Sequence, residues 1–192
     1  MSEAELLSLL QQGDQRAYRH LYDQYSSRVY NTALSYLQSA TDAEDITQEV
    51  FLEVFRSVEQ FRGGSSVSTW VYRIAVNKCL DQLKFRHRKK RYGIIRSLFG
   101  ESGELKMDLP DFHHPGITLE NKERAALLFK AIGQLNVNQQ TAFILIYIEE
   151  QSQKEAAEVM GIGVKALESL LQRAKGNLRT ELKDFYQQEK DL

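Results

Sequence analysis

Cations and aromatic rings alternate in Trp70-Val71-Tyr72-Arg73-Ile74-Ala75-Val76-Asn77-Lys78, and the run continues through Lys84, Arg86, Arg88, Lys89, Lys90 and Arg91. Cationic side chains follow phosphates and aromatic faces stack on unpaired bases, so the mixture suits a nucleic acid being opened. From Arg62 to Arg91 there are nine Lys or Arg against one acid, Asp81, whereas Thr41 to Phe61 carries six acids against Arg56. The formal net charge of -1 therefore conceals one basic and one acidic block. For Lys84 to Arg91 a solvated charge run is an equal alternative, and Trp70 and Ile74 are assigned to the core.

A second pattern runs from Ser152 to Leu171. Ser152-Gln153-Lys154-Glu155 is a capping box, and Gly161 supplies the left-handed residue that closes the helix it opens. Small Ala157 permits a close helix crossing, and Ala156, Met160, Ile162, Leu167 and Leu170 fall where a helix-turn-helix buries its side chains. Val164 to Leu182 then reads as a recognition helix exposing Lys165, Glu168, Ser169, Gln172 and Arg173 to the major groove. An ordinary helical hairpin is the bland alternative.

Catalytic constellations are not found. His20, His87, His113 and His114 have no zincin spacing, and no phosphate-binding glycine loop or nucleophile elbow occurs. No catalytic residue, metal or cofactor is expected, and His113-His114 beside Asp108 and Asp111 reads as polar linker. The single Cys79 excludes an intrachain disulfide framework and suits a reducing compartment, where it serves as a small buried hydrophobe. Acids occupy the N-terminus where a secretion signal needs bases, and the longest apolar run, Ala142 to Ile148, is too short to span a membrane. A cytoplasmic protein without membrane insertion is expected.

These groups need helices to position them. The chain has 192 residues, 42% hydrophobic, with 2 Pro and 11 Gly, a composition that favours an all-α fold of one or two small domains. Both prolines, Pro110 and Pro115, and Gly93, Gly100, Gly103 and Gly116 fall between Tyr92 and Ile117, which reads as a flexible linker 92–117 between a domain 1–91 and a domain 118–192. Two independently folding blocks are expected. Asp14 caps a helix with Ala17, Leu21, Tyr25, Val29, Ala33 and Leu37 on one stripe. Thr41-Asp42-Ala43-Glu44 reads as a capping box for a helix burying Ile46, Val50, Val54 and Val58; Phe51, Leu52 and Phe55 widen its apolar arc. After a Gly63-Gly64-Ser65-Ser66 loop, Ser68 or Thr69 is expected to cap the helix starting at Trp70. Asn138 to Glu149 reads as a buried helix, with a strand as the alternative for its apolar core.

Asp42-Ala43-Glu44-Asp45-Ile46-Thr47-Gln48-Glu49-Val50-Phe51, Phe61-Arg62-Gly63 and Thr69-Trp70-Val71-Tyr72-Arg73-Ile74-Ala75-Val76-Asn77 resemble region 2 of the bacterial sigma-70 family, and Tyr147 to Leu178 resembles region 4. The absence of a large domain between them resembles the extracytoplasmic-function branch. The resemblance implies a promoter-specificity subunit without catalysis of its own. Asp45, Gln48, Glu49 and Phe51 would dock on the β′ clamp helices of core RNA polymerase. The Phe61 to Thr69 loop, with Arg62, Gly64 and Ser65, and the helix carrying Tyr72, Arg73, Asn77 and Lys78 would recognise and melt the -10 element of promoter DNA. Lys165, Ser169, Gln172 and Arg173 would read the -35 element, while the apolar side of region 4 meets the β flap. An anti-sigma factor is a further implied partner, and no appended sensor domain is expected. Asn136-Val137-Asn138-Gln139-Gln140 and the pair Glu168 and Leu170 depart from the usual region 4 pattern. A helix-turn-helix regulator with an N-terminal interaction domain, acting outside polymerase, is the alternative from a different class; it would need neither the acidic helix nor the 61–69 loop.

Overall fold

Side-chain caps decide where this chain turns helical. In the computed structural model, which describes residues 2–98 and 122–183, eight α-helices form and no strand occurs among the described residues. Ser2 and Glu5 close a reciprocal capping box on α1 (Glu3–Gln11). Asp14 Oδ1 accepts from the amides of Arg16 and Ala17, at 2.7 and 2.9 Å, to open α2 (Gln15–Leu37). Helix α3 (Ala40–Ser57) is capped by Ser39, whose hydroxyl accepts from the Asp42 amide, so the expected Thr41 box does not form. Ser39 takes the Asp42 amide, and the Asp42 side chain pairs with Arg86.

A 3₁₀ turn, Val58–Gln60, leads into the loop before α4 (Val67–Leu98). Ser66, rather than Ser68 or Thr69, caps α4 by accepting from the Thr69 amide at 3.0 Å, while the Glu3 carboxylate takes the Val67 amide. Helix α4 continues to Leu98, so the first residues of the expected linker are helical. Pro110, Pro115, Gly100, Gly103, Gly116, His113 and His114 lie outside the described residues.

The second half comprises α5 (Lys122–Gln134), α6 (Val137–Phe143), α7 (Gln153–Met160) and α8 (Val164–Glu181). Asn136 caps α6 by accepting from the Gln139 amide at 3.0 Å. The apolar run is helical, but Ile144–Ile148 winds as one π-helical turn. Glu150 then adopts φ 52, a left-handed conformation that costs a non-glycine residue about 1 kcal/mol. The Ser152 and Glu155 box opens α7 and Gly161, at φ 65, closes it, as read from the sequence.

Leu21, Val29, Leu34, Val50, Val54, Val71 and Cys79 fill the space between α2, α3 and α4. Ile132, Ile144, Leu145, Ala156, Leu167 and Ala174 do the same between the later helices. The two cores join into one contiguous cluster, because α7 lies on α4 and the π turn on α2. The blocks 1–91 and 118–192, expected to fold independently, are packed on one another in this structure.

Candidate nucleic-acid interface

The loop preceding α4 is held from both sides. Gln11 donates its side-chain amide to the carbonyl of Phe61 at 3.0 Å, and the Phe61 ring stacks on Trp70 at 4.6 Å with an interplanar angle of 20°. Arg62 and Gly64 are exposed between these anchors, and Ser65 is half-buried. Gly63 has φ 70, which glycine adopts without steric cost, and a Cβ at Gly64 would meet nothing within 4 Å. The loop is therefore a fixed arch with an open crest, wide enough for a ligand to approach its backbone.

Along α4 the expected nucleic-acid residues divide. Asn77 is exposed. Lys78 bridges Glu49 and Glu53 of α3 at 3.6 Å each, tying the basic helix to the acidic one. Tyr72 is only 2% exposed, and Arg73 is half-buried. Both are covered by the second half of the chain: the Tyr72 hydroxyl donates to Glu149 Oε2 at 3.0 Å, and the Arg73 guanidinium donates to the Glu158 carbonyl through Nε at 3.0 Å and a terminal nitrogen at 2.6 Å. Hydrogen bonds involving a charged group contribute about 1.5 to 3 kcal/mol each when well formed. Gln38 adds a third tether, donating to the Phe129 carbonyl at 2.7 Å.

A cavity of about 340 Å³ lies at this junction, lined by Arg28, Ser68, Tyr72, Glu149, Gln151 and Glu155 among others. Burial raises the Glu149 carboxyl above its ordinary range, against the opposing pull of the Thr32 and Tyr72 hydroxyls and the Arg28 charge. Burial also raises the Tyr72 phenol, and the Glu149 charge pushes it further the same way. The phenol therefore stays protonated and donates to Glu149.

Farther along α4, Arg86 is no loose cation. Its guanidinium donates to the Leu37 carbonyl at 2.8 Å and pairs with Asp42, which pins α4 against the α2–α3 corner. Only Arg88, of the cations expected on either side of it, is both described and exposed without such an anchor.

On α3, Asp45, Gln48 and Glu49 are exposed, as the acidic face requires. Phe51 is half-buried against Tyr22 of α2, ring centroids 4.7 Å apart. Leu52 and Phe55 are 54% and 60% exposed beside it. The sequence shows these two as a widened apolar arc; their exposure makes them part of one surface with Tyr22, Phe51 and the acids.

On α8, Lys165, Gln172 and Arg173 are exposed and Ser169 is half-exposed, while Leu167, Leu171 and Ala174 face inward. Leu171, one helical turn after Leu167, is buried, whereas the expected Leu170, Met160 and Ile162 are only half-buried against the core. Asn177 donates to Gln139 at 3.0 Å, which fixes α8 on the otherwise unusual polar start of α6. Val137, Tyr147 and Val164 are exposed apolar side chains on this half, and Lys175 lies over the Tyr147 ring at 4.8 Å. No helix of the described residues is long and apolar enough to cross a membrane, and no His, Cys, Asp and Glu group among them could hold a metal ion.

Residues 21–91 match the family profile described as Sigma-70 region 2, and residues 125–178 match Sigma-70, region 4. The ECF RNA polymerase sigma-E factor of Haemophilus influenzae is 30% identical over 182 residues, covering 95% of this chain and 96% of that protein. The RNA polymerase sigma-H factor of Pseudomonas aeruginosa is 30% identical over 173 residues, covering 90% of each. Among solved structures, CnrH in complex with the cytosolic domain of CnrY aligns with a TM-score of 0.68 at 25% identity, over 95% of this chain and 97% of that one. The sigma factor RpoE of Bartonella quintana, solved with the anti-sigma factor NepR, shares the fold at a TM-score of 0.62 and 21% identity, over 86% and 96% of the two chains. With both regions matched and a relative at 30% identity over nearly the whole length, the chain belongs to the extracytoplasmic-function branch of the sigma-70 family.

Proposed function

We propose that this chain directs core RNA polymerase to promoters, recognising the -10 element with residues 61–78 and the -35 element with α8, and takes no catalytic part itself. The observation that carries the reading is the division of surfaces. One half presents an acidic and aromatic docking face, the other a helix-turn-helix with exposed Lys165, Gln172 and Arg173, and α4, entered from an open loop, carries exposed Asn77, Lys84, Phe85 and Arg88. Asp45, Gln48, Glu49 and Phe51, extended by Leu52 and Phe55, dock on the β′ clamp helices, and the apolar side of region 4 meets the β flap. Residues 1–91 and 118–192 act as the two promoter-reading units, with 92–117 passing between them.

Melting needs a place for an extruded base, whose unstacking costs a few kcal/mol. The open crest of Phe61 to Thr69, with Gly64 free of neighbours, supplies it. An anti-sigma factor that bridges both halves is the regulating partner, and the factor works in the cytoplasm. Purified chain added to core polymerase and a genomic promoter library tests the reading: run-off transcripts from a distinct promoter set are expected. Failure to bind core polymerase and to yield any promoter-dependent transcript would overturn it.

A further inference from the structure

Helix α1 lies ahead of the region 2 segment 21–91 and holds no residue assigned to DNA or polymerase. Leu6 and Leu10, one turn apart, are buried in the core, and the Tyr18 hydroxyl of α2 donates to the Leu10 carbonyl at 3.2 Å, which seats α1 on α2. From that seat its two ends reach the loop before α4. At the loop entry the Gln11 side-chain amide donates to the Phe61 carbonyl at 3.0 Å and to the Val58 carbonyl at 3.4 Å. At the exit the Glu3 carboxylate accepts from the Val67 amide. Both backbone ends of the loop are thus held by side chains of one helix.

We infer that α1 is a strut for base capture: Gln11 and Glu3 set the distance between the two feet of the Phe61–Val67 loop and so hold its crest at the width that accepts an extruded base. This deepens the -10 reading given above and rests on it. Glu3 and Gln11 are eight residues apart, about 12 Å along a helix that rises about 1.5 Å per residue. Stretched out, the chain from Phe61 to Val67 could span about 20 Å. The feet are held closer than that, and the surplus chain stands out as the crest, where Arg62, Gly63 and Gly64 are exposed.

The crest does not set its own shape. Gly63 and Gly64 bring no side chain, and a Cβ at either would meet nothing within 4 Å. A glycine-rich segment left to itself samples many conformations, and each must be given up when a base is bound. Fixing the feet beforehand removes part of that ordering cost and tightens binding without any new contact to the ligand. The same bonds are not needed to build the fold. Leu6 and Leu10 account for the packing of α1, Ser2 and Glu5 cap it, and Ser66 already caps α4. Gln11 and Glu3 are therefore positioning residues, acting on DNA only through the loop backbone.

A promoter recovered by run-off transcription with the wild-type holoenzyme supplies the probe: a fork with a single-stranded -10 strand, made intact and with an abasic site at each -10 position in turn. The quantity read is the ratio of intact to abasic affinity. For the wild type, one position should lose about tenfold or more when its base is removed. Gln11→Glu keeps the size of the side chain but removes the donor to the carbonyls, and Glu3→Ala removes the acceptor; each should reduce that ratio to about twofold, with core-polymerase affinity unchanged. Gln11→Lys and Glu3→Gln, which keep a donor and an acceptor, should hold the ratio within about twofold of the wild type. If α1 served the fold alone, Gln11→Glu and Glu3→Ala would lower the melting temperature and weaken all forks together, leaving the ratio as it was. That result, or a ratio lost as fully in the conservative pair as in the disruptive one, would overturn the strut. Failures beneath it read differently: a wild-type holoenzyme that binds every abasic fork as tightly as the intact one removes the base pocket, and one that yields no transcript removes the sigma reading itself.

Discussion

The two surfaces proposed to read DNA are in opposite states. On α8, Lys165, Gln172 and Arg173 stand exposed, held only from behind by Leu167, Leu171 and Ala174. On α4, Tyr72 is buried and Arg73 is committed to a carbonyl 85 residues away. The difference shows that a helix can be assembled for recognition without being available for it. Local caps and apolar stripes build both helices, but only the packing of one half on the other decides which can meet DNA.

The largest test of that contrast is truncation of the shared core. Leu145→Ala removes a fully buried side chain and should cost about 2 to 5 kcal/mol. If the halves are joined as described, calorimetry should show the wild type melting in one transition and this variant shifting all of it. Two transitions, with only one displaced, would break the contrast by showing that the halves ignore each other.

Arginines on the two surfaces should then behave differently. Arg173→Ala should lose about 1 to 3 kcal/mol of promoter binding if it reads a base, in a manner that depends on the -35 sequence, with no change in the separation of the halves. Arg73→Ala should weaken -10 binding and at the same time widen that separation. Equal behaviour of the two in a distance measurement would remove the distinction between a covered and an open surface.

Within the basic helix, Arg86 and Arg88 sharpen the account further. Arg86→Ala breaks the contacts to Leu37 and Asp42 and should cost about 1 to 3 kcal/mol of thermal stability, read by melting. Arg88→Ala should leave stability unchanged and lower the salt slope of promoter binding by about one. Loss of stability in Arg88→Ala, or of salt slope alone in Arg86→Ala, would reverse these roles.

The smallest effect is that of pH. Glu149 has its carboxyl raised by burial between the packed halves, so packing favours the protonated group. The contribution is complete below its ordinary value near 4.5 and is lost as pH rises through the raised one. Acidification toward that window should raise the packed population several-fold, read as a narrower distribution of distances between the halves, and Glu149→Gln should flatten the response. Arg28, Tyr72, Glu150 and Glu155 face the same cavity. Tyr72 titrates far above this window, and Glu155 is held below its ordinary range by the Ser152 hydroxyl, so the difference between wild type and the Glu149→Gln variant isolates Glu149.

Much of the fold was legible because its signals are local. Asp14, the Ser152 and Glu155 box and Gly161 act within four residues of themselves, and each takes its expected part. Where two hydroxyls compete, locality misleads: Ser39 caps in place of Thr41, and Ser66 in place of Ser68 or Thr69, since the residue nearest the first free amides wins. The Ser2-x-x-Glu5 box of α1 was equally readable, and its length of two turns with Leu6 and Leu10 buried makes it a real element. The packing of one half on the other could not be read this way. Tyr72 and Glu149 are 77 residues apart, neither breaks a periodic pattern, and an aromatic donor serves a base or a carboxylate equally well. The same ambiguity concealed Arg86, whose charge suits a phosphate and an aspartate alike.

Photo-crosslinking from position 68 tests the central claim most directly. Ser68 lines the cavity between the halves and belongs to the first turn of α4; it lies within the 61–78 stretch proposed to meet the -10 element but makes none of the tethers between the halves. With Ser68 replaced by azidophenylalanine, irradiation of the free chain should join it to residues 148–159 of region 4. In the open promoter complex with core polymerase that product should vanish and a crosslink to the -10 strand should replace it. Persistence of the region 4 crosslink in the active promoter complex, or its absence from the free chain, would contradict the account.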